Sequence, residues 1–311
     1  MALLAAASRN AQLHHMVSRR DFVLELSGAA LGARLASRIE PARIRLGCAA
    51  ITWGGNDLQA IEDIAATGFE GIQLRASAVK QFGDRPAALR ELLAQKRLSF
   101  VALSSGNLGL DPTREETFMA EHTDNARFLR DAGGQYLQII DERPAGRPVV
   151  PDDYRRLGEL LTTLGRRTTD LGIAVAYHPH MGALGEKPNE VDRILEATDP
   201  RFVKLLLDVA HYRQGGGDPA QAIRRYHDRL ALLHIKDVES RPGSGGETYR
   251  FVELGRGRVD LAAVFSTLRD VRFAGWAVIE LDAVPDSART AKESALISKR
   301  YLEEKVLAAG R

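Results

Sequence analysis

The stretch FVKLLLDVAH, residues 202–211, and its successor LALLHIKD, residues 230–237, decide the fold. Each is a run of Val, Leu, Ile and Ala that stops on a polar group, Asp208 in the first and His234 in the second. Near-continuous apolar runs of this length mark strands buried on both faces, as in a parallel sheet. A polar side chain placed where such a run ends points beyond the carboxyl end of its strand. The pattern recurs upstream in IAVAYHPHMG (173–182), which ends on His178 and His180, and downstream in WAVIELD (276–282), which holds Glu280. Four successive strand ends therefore offer nitrogen and carboxylate oxygen, a donor set for a divalent metal at the mouth of a barrel.

Working outward, the chain from Arg45 onward alternates short apolar runs with longer amphipathic ones. The strand candidates are RLGCAAI (45–51), GIQLRA (71–76), LSFVALSS (98–105), QYLQIID (135–141), IAVAYH (173–178), FVKLLLD (202–208), LALLHIK (230–236) and WAVIEL (276–281). Helical periodicity falls between them, over Asp57 to Thr67, Glu115 to Ala132, Asp152 to Asp170 and Asn189 to Ala197, with Gly, Asp, Asn or Pro at many joins. Eight βα units call for a parallel sheet with right-handed crossovers, and so for an α/β fold: a single (β/α)8 barrel spanning residues 44–311. The rival is a doubly wound open sheet. It would carry a Gly-rich phosphate loop after the first strand, and AITWGGND (50–57) is no such loop. Two polar insertions follow strands on the same face. ERPAGRPVVPDD (142–153) follows the fourth, and ESRPGSGGETYRFVELGRGRV (239–259) follows the seventh, where its Gly, Ser and Arg content predicts a mobile active-site loop.

Composition excludes several function classes. A net charge of +2, from 43 basic and 41 acidic residues, with no sustained basic stripe, argues against nucleic acid as a partner. The single cysteine, Cys48, rules out an internal disulfide and any cysteine-rich zinc site, and reads as a buried thiol of the first strand. Each member of the strand-end set also has an ordinary structural reading. Asp208 suits a helix cap, His234 a core histidine, and Glu280 a partner for an arginine. Their succession favours ligation. Neutral imidazole and carboxylate suit Mn2+, Co2+, Fe2+ or Zn2+ far better than Ca2+.

These motifs resemble the xylose-isomerase-like TIM barrels, the sugar phosphate isomerase/epimerase superfamily. The resemblance is closest to its inosose dehydratase branch, through Trp53-Gly54 with Asn56-Asp57, YHPHMG (177–182), LDVAH (207–211), HIKD (234–237) and GRGRVD (255–260). It implies one divalent metal held by a Glu, an Asp, a His and a second Glu. Asp208, His234 and Glu280 match the last three, and His178 stands where the first glutamate is expected. Either His178 is the fourth ligand or a water keeps that place, with Asp141 or Glu142 as groups that could lean in from strand four. The implied chemistry is proton abstraction beside the carbonyl of a keto-sugar or keto-cyclitol through a metal-stabilised enediolate, in an isomerase or epimerase. The alternative is β-elimination by an inosose dehydratase-like or 3-keto-glycoside lyase. Glu280, His178 and His180 are then the catalytic candidates. His211, Lys236 and Trp53 are substrate-binding candidates, the last as an apolar wall. Gln73 is read as a hydroxyl partner or a polar barrel layer, Asp237 as a loop cap or an active-site group, and Arg250, Arg256 and Arg258 as solvated loop arginines. A nucleic-acid-cleaving relative needs more ligands and a basic groove, while a non-catalytic periplasmic sugar binder has no use for a strand-end metal triad.

Residues 1–40 read as a signal region outside the fold. Ser18, Arg19, Arg20, Phe22 and Val23 resemble the core of a twin-arginine export signal, and the apolar stretch that follows is too short and polar to anchor in a bilayer. An amphipathic N-terminal helix is the other reading. Export implies a periplasmic location and an unphosphorylated sugar or cyclitol; otherwise the chain is cytoplasmic. The oligomeric state is left open, a homo-oligomer included.

Overall fold

The computed structural model describes residues 43–243 and 246–308; the twin-arginine-like stretch lies outside them. Eight parallel strands close into a barrel: β1 (Ile44–Ala49), β2 (Gly71–Arg75), β3 (Ser99–Leu108), β4 (Tyr136–Asp141), β5 (Ala174–Tyr177), β6 (Val203–Asp208), β7 (Leu230–Ile235) and β10 (Gly275–Ile279). The order runs β1-β10-β7-β6-β5-β4-β3-β2, so consecutive barrel strands are neighbours and the sheet is an α/β barrel, not an open doubly wound one. Each apolar run of the sequence is a barrel strand because both its faces are covered, one by the barrel interior and the other by helices.

The helices are α1 (Asp57–Ala66), α2 (Ser77–Phe82), α3 (Pro86–Gln95), α4 (Glu115–Asp131), α5 (Pro151–Thr169), α6 (Pro188–Glu196), α7 (Val209–Gln214), α8 (Pro219–Tyr226), α9 (Leu261–Asp270) and α10 (Ala291–Tyr301). Side-chain caps start many of them. Asn56 accepts from the Gln59 N–H, Asp218 from Ala220, Asp260 from Ala263, and Thr290 with Glu293 forms a capping box. Among the described residues no helix is long and apolar enough to cross a membrane.

One end of the barrel is plugged. Trp276, at the start of β10, is buried among Val101, Leu206 and Leu232. Its indole N–H donates to Gln135 at 3.1 Å, and the Arg45 guanidinium lies 3.9 Å from its ring. Gly71 faces that ring so closely that a Cβ would come within 2.6 Å of it, which is why the strand opens on glycine. With the amino ends of the strands filled, polar side chains are left to the carboxyl end.

The segment read as a mobile loop after strand seven is instead an antiparallel hairpin, β8 (Asp237–Gly243) with β9 (Gly246–Val252). Asp237 ties down its foot. Its carboxylate accepts from the N–H groups of Val238, Val259, Gly255 and Gly257 at 2.9–3.0 Å, the loop-capping role rather than a place in the site. β9 then lays Phe251 across the barrel mouth, 5.0 Å between ring centres from His211 and 4.0 Å from the Lys236 ammonium.

Candidate metal centre and cavity

Strand register brings the expected residues together. Asp208 pairs with His234 across β6 and β7, Val278 pairs with His234 across β7 and β10, and the Glu280 N–H donates to Ile235 O at 3.1 Å. His178 leaves β5 with its N–H bound to Ile139 O at 2.8 Å. All four side chains are buried at the carboxyl end.

Each carboxylate divides its two oxygens. Asp208 Oδ1 caps α7, accepting from the N–H groups of Ala210 and His211 at 2.8 and 2.9 Å. Asp208 Oδ2 makes no hydrogen bond, and lies 3.6 Å from His234 Nδ1. Glu280 Oε1 accepts from the Lys236 ammonium at 3.1 Å, while Oε2 lies 3.4 Å from His234 Nδ1. Donor atoms around one ion at about 2.1 Å stand roughly 3–3.5 Å apart, close to these separations. His178 Nδ1 and His234 Nδ1 are likewise buried without a partner. Asp208 Oδ2 and His234 Nδ1 face each other unsatisfied, and ligand atoms of His178, Asp208, His211 and Glu280 lie within 4.8 Å of one another. Such a cluster is costly unless a cation fills it, so the residues fit a divalent metal.

The tautomer of His234 is set from behind. Its Nε2–H donates to Gln73 Oε1 at 2.9 Å, and Gln73 donates in turn to Gln138 Oε1 at 2.7 Å. Gln73 thereby takes the barrel-layer role, and it leaves Nδ1 turned to the carboxylates, a donor to them when protonated and a metal ligand when not. Gln138, three residues before the end of β4, was not among the expected site residues.

Electrostatics reinforce the arrangement. Burial opposes the Asp208 charge, but His211, Lys236 and His234 outweigh it and hold the carboxyl well below its usual range. Burial opposes Glu280 too, and His234 and Lys236 pull it below the ordinary value. Lys236 is fully buried, yet Glu280, Asp208 and Asp282 keep it charged, with Asp282 2.6 Å away. Burial pushes His178 well below its ordinary value, aided by His234, so it is a neutral imidazole. His211 falls to about 3, through burial first and then Lys236 and His180.

Several expectations change. His211 is buried under Phe251, stacked on His180 at 3.8 Å between ring centres, with its Nε2 3.8 Å from Asp208 Oδ2. It joins His178, Asp208 and Glu280 as a metal-compatible group instead of facing open space. Asp141 is fully engaged, accepting from the Tyr177 hydroxyl at 2.7 Å and from the N–H groups of Leu184 and Gly185, so it does not lean into the centre. Glu142 lies over Gly109, away from it. Trp53 sits in the turn after β1, where its indole N–H donates to Asp63 at 2.9 Å; it forms no wall of the cavity. Arg250 pairs with Glu239, Arg256 with Glu253, and Arg258 donates to Gln214, all outside the cavity.

The cavity above the centre holds about 530 Å³ of space, part of it open to solvent. Gln73, Arg75, Gln138, His178, His180, Glu280 and Asp282 are among its walls. His180 Nδ1 lies 2.8 Å from Met181 O, which places the N–H there and leaves Nε2 as an acceptor. Asp282 escaped the sequence reading, although its position two residues beyond Glu280 put it on the same side of the strand.

Comparison with known proteins follows the same lines. The family model of the xylose isomerase-like TIM barrel matches residues 61–301. An inosose dehydratase of Lacticaseibacillus casei is 27% identical over 298 residues, covering 84% of this chain and 96% of that protein. The crystal structure of an IOLI protein with a bound zinc atom aligns with a TM-score of 0.70 at 19% identity, over 83% of this chain and 97% of that one. A 3-keto-D-glucoside 4-epimerase, YcjR, from E. coli aligns with a TM-score of 0.67 at 18% identity, over 83% and 100%. At these identities the structural likenesses speak for the fold.

Proposed function

The chain belongs to the xylose isomerase-like TIM barrel family, and from that premise we propose that it is a divalent-metal-dependent lyase that eliminates a β-hydroxyl from a keto-cyclitol or keto-sugar. The observation that carries this reading is the buried cluster of His178, Asp208, His211 and Glu280, whose ligand atoms lie within 4.8 Å of one another, with the unpartnered Asp208 Oδ2 and His234 Nδ1 3.6 Å apart beside them. The inosose dehydratase relative, matched over nearly its whole length, supports the dehydratase form of the chemistry.

His178, Asp208, His211 and Glu280 would hold the ion, and His234, whose Nδ1 lies 3.6 Å from Asp208 Oδ2 and 3.4 Å from Glu280 Oε2, would be the further ligand. Such an ion would supply Lewis acidity to a substrate carbonyl, which would make the adjacent C–H acidic enough to ionise. Its mixed nitrogen and oxygen ligands suit Mn2+, Co2+, Fe2+ or Zn2+. Glu280 is kept ionised and held in place by Lys236. His180 presents its Nε2 lone pair to the cavity and is the proton carrier in this reading. It takes the proton from the carbon beside the carbonyl and returns it to the β-hydroxyl. The C–H and C–O bonds break, a C=C bond forms, and water leaves. A base flanked by an unlike partner favours elimination; proton exchange on two faces is served better by two like carboxylates, and strand five supplies His178 instead of a glutamate. Arg75 is the only arginine or lysine lining the cavity among the described residues, and Asp282 shares it, which supports an unphosphorylated substrate. An exported location rests on Ser18 to Val23 alone.

Incubating the metal-loaded protein with an inosose in deuterated water, followed by NMR, tests the reading. Loss of water is the expected result. Deuterium uptake with an isomeric ketone and no dehydration would favour an epimerase, and no exchange at all would overturn both. The orienting layer has its own signature. Gln73→Leu frees the His234 ring, so metal affinity should fall about 10–100-fold in a competitive chelator titration while the fold is kept. Unchanged affinity would remove Gln73 from the support of the centre.

A further inference from the structure

The cavity above the metal centre does not end at His180. A second cavity of about 760 Å³, also open to solvent, adjoins it, and Ile140 and His180 line both. Its other walls include Asn107, Glu142, Arg143 and Met181. The loops that form it are held rigidly. Arg143 reaches from the loop after β4 to Ala183 O at 3.1 Å and to Glu190 at 3.3 Å. Asp141 grips the N–H groups of Leu184 and Gly185. The buried His122 ring joins Ser105 Oγ at 2.7 Å to Asn107 O at 3.2 Å, and so fixes the irregular end of β3. Among the described residues, the side chains of Asn107 and Glu142 take no part in this bracing: neither makes a hydrogen bond to another side chain. Rigid walls with unengaged polar tips are the usual make-up of a preformed ligand site.

Building on the proposed lyase reading, we infer that this second lobe binds a neutral, hydroxyl-rich ring attached to the one that reacts, so that the preferred substrate is a glycoside with two rings. A carboxylate accepts from two neighbouring hydroxyls, and an amide offers one donor and one acceptor, which matches the edge of a pyranose. Glu142 disfavours a phosphate or carboxylate there, since the charge of Arg143 is already matched by Glu190. The ring seated in the lobe lies next to His180.

Binding to the full-length protein, measured by titration calorimetry with methyl β-glucoside and with cellobiose, tests the lobe without requiring turnover. Cellobiose should bind about tenfold more tightly, and Glu142→Ala or Asn107→Ala should each remove most of that advantage while leaving methyl β-glucoside unaffected, in line with hydrogen bonds to a charged or amide group. Both positions are solvent-accessible, so the variants should melt as the parent does. Equal affinity for the two sugars, or an advantage that survives in both variants, would overturn the lobe. Dehydration of a single-ring inosose is scored separately. Its absence beside an intact cellobiose preference would count against the lyase and not against the lobe.

Discussion

Asp208→Asn is expected to leave a folded protein that no longer holds metal and has lost most of its turnover. The two oxygens of Asp208 perform separable tasks, and this substitution divides them. Oδ1 caps α7 through the N–H groups of Ala210 and His211, and the asparagine carbonyl can do the same. Oδ2 faces His234 Nδ1 with no partner, and an amide nitrogen in its place donates where a ligand must accept. Metal retained after dialysis should therefore drop to background. The rate should fall about 10³-fold, the several kcal/mol that a Lewis acid contributes to the barrel's chemistry. Asp208→Ala should show the same loss of metal plus about 1 kcal/mol of lost stability from the missing cap, readable as a lower denaturation midpoint. Full metal content in Asp208→Asn, measured by elemental analysis, would place the ion elsewhere.

This prediction could be drafted from the amino-acid sequence because Asp208 ends an unbroken apolar run. The carboxyl ends of the strands open on the mouth of a parallel barrel, so a polar residue that closes such a run can be placed there from the chain. The eight strands were legible for the same reason, each being buried on both faces. The hairpin over the mouth was not. Among its described side chains only Asp237, Val238 and Val252 are buried, so its sequence carries the polarity of a loop while its order comes from Asp237 and from backbone pairing. Trp53 misled in a related way. An aromatic near a strand end suits a cavity wall, but the four-residue turn Ala50–Trp53 after β1 carries it to Asp63 on α1. The role of Lys236 was half legible. Its spacing from His234 put it on the right face, yet only the fold shows that Asp282 and Glu280 enclose it.

Lys236→Met should therefore be the most destabilising change at the site in metal-free protein. The ammonium is fully buried, 3.1 Å from Glu280, 2.6 Å from Asp282 and 3.9 Å from Asp208. Removing one partner from a buried ionic cluster leaves its opposite charges uncompensated, at a cost of about 3–5 kcal/mol. The pH dependence gives this mechanism a distinctive sign. In the parent, Asp208 and Glu280 are held below their ordinary values, so their contribution to stability is present above the usual carboxylate range and is lost as pH falls through the depressed values. Without the ammonium the opposing effect of burial gains ground and both carboxyls move upward. Where they pass the unfolded value, stability is instead present below that value and fades as pH rises through the new folded one. Urea midpoints of EDTA-treated protein should then show the largest deficit near neutral pH and a smaller one near about pH 4.5. Adding Glu280→Gln to Lys236→Met should recover part of the loss, because it removes one of the stranded charges. Divalent metal should recover stability as well, its charge taking over from the ammonium at the same carboxylates. A deficit independent of pH, unmoved by Glu280→Gln and by metal, would mean that Lys236 contributes packing alone.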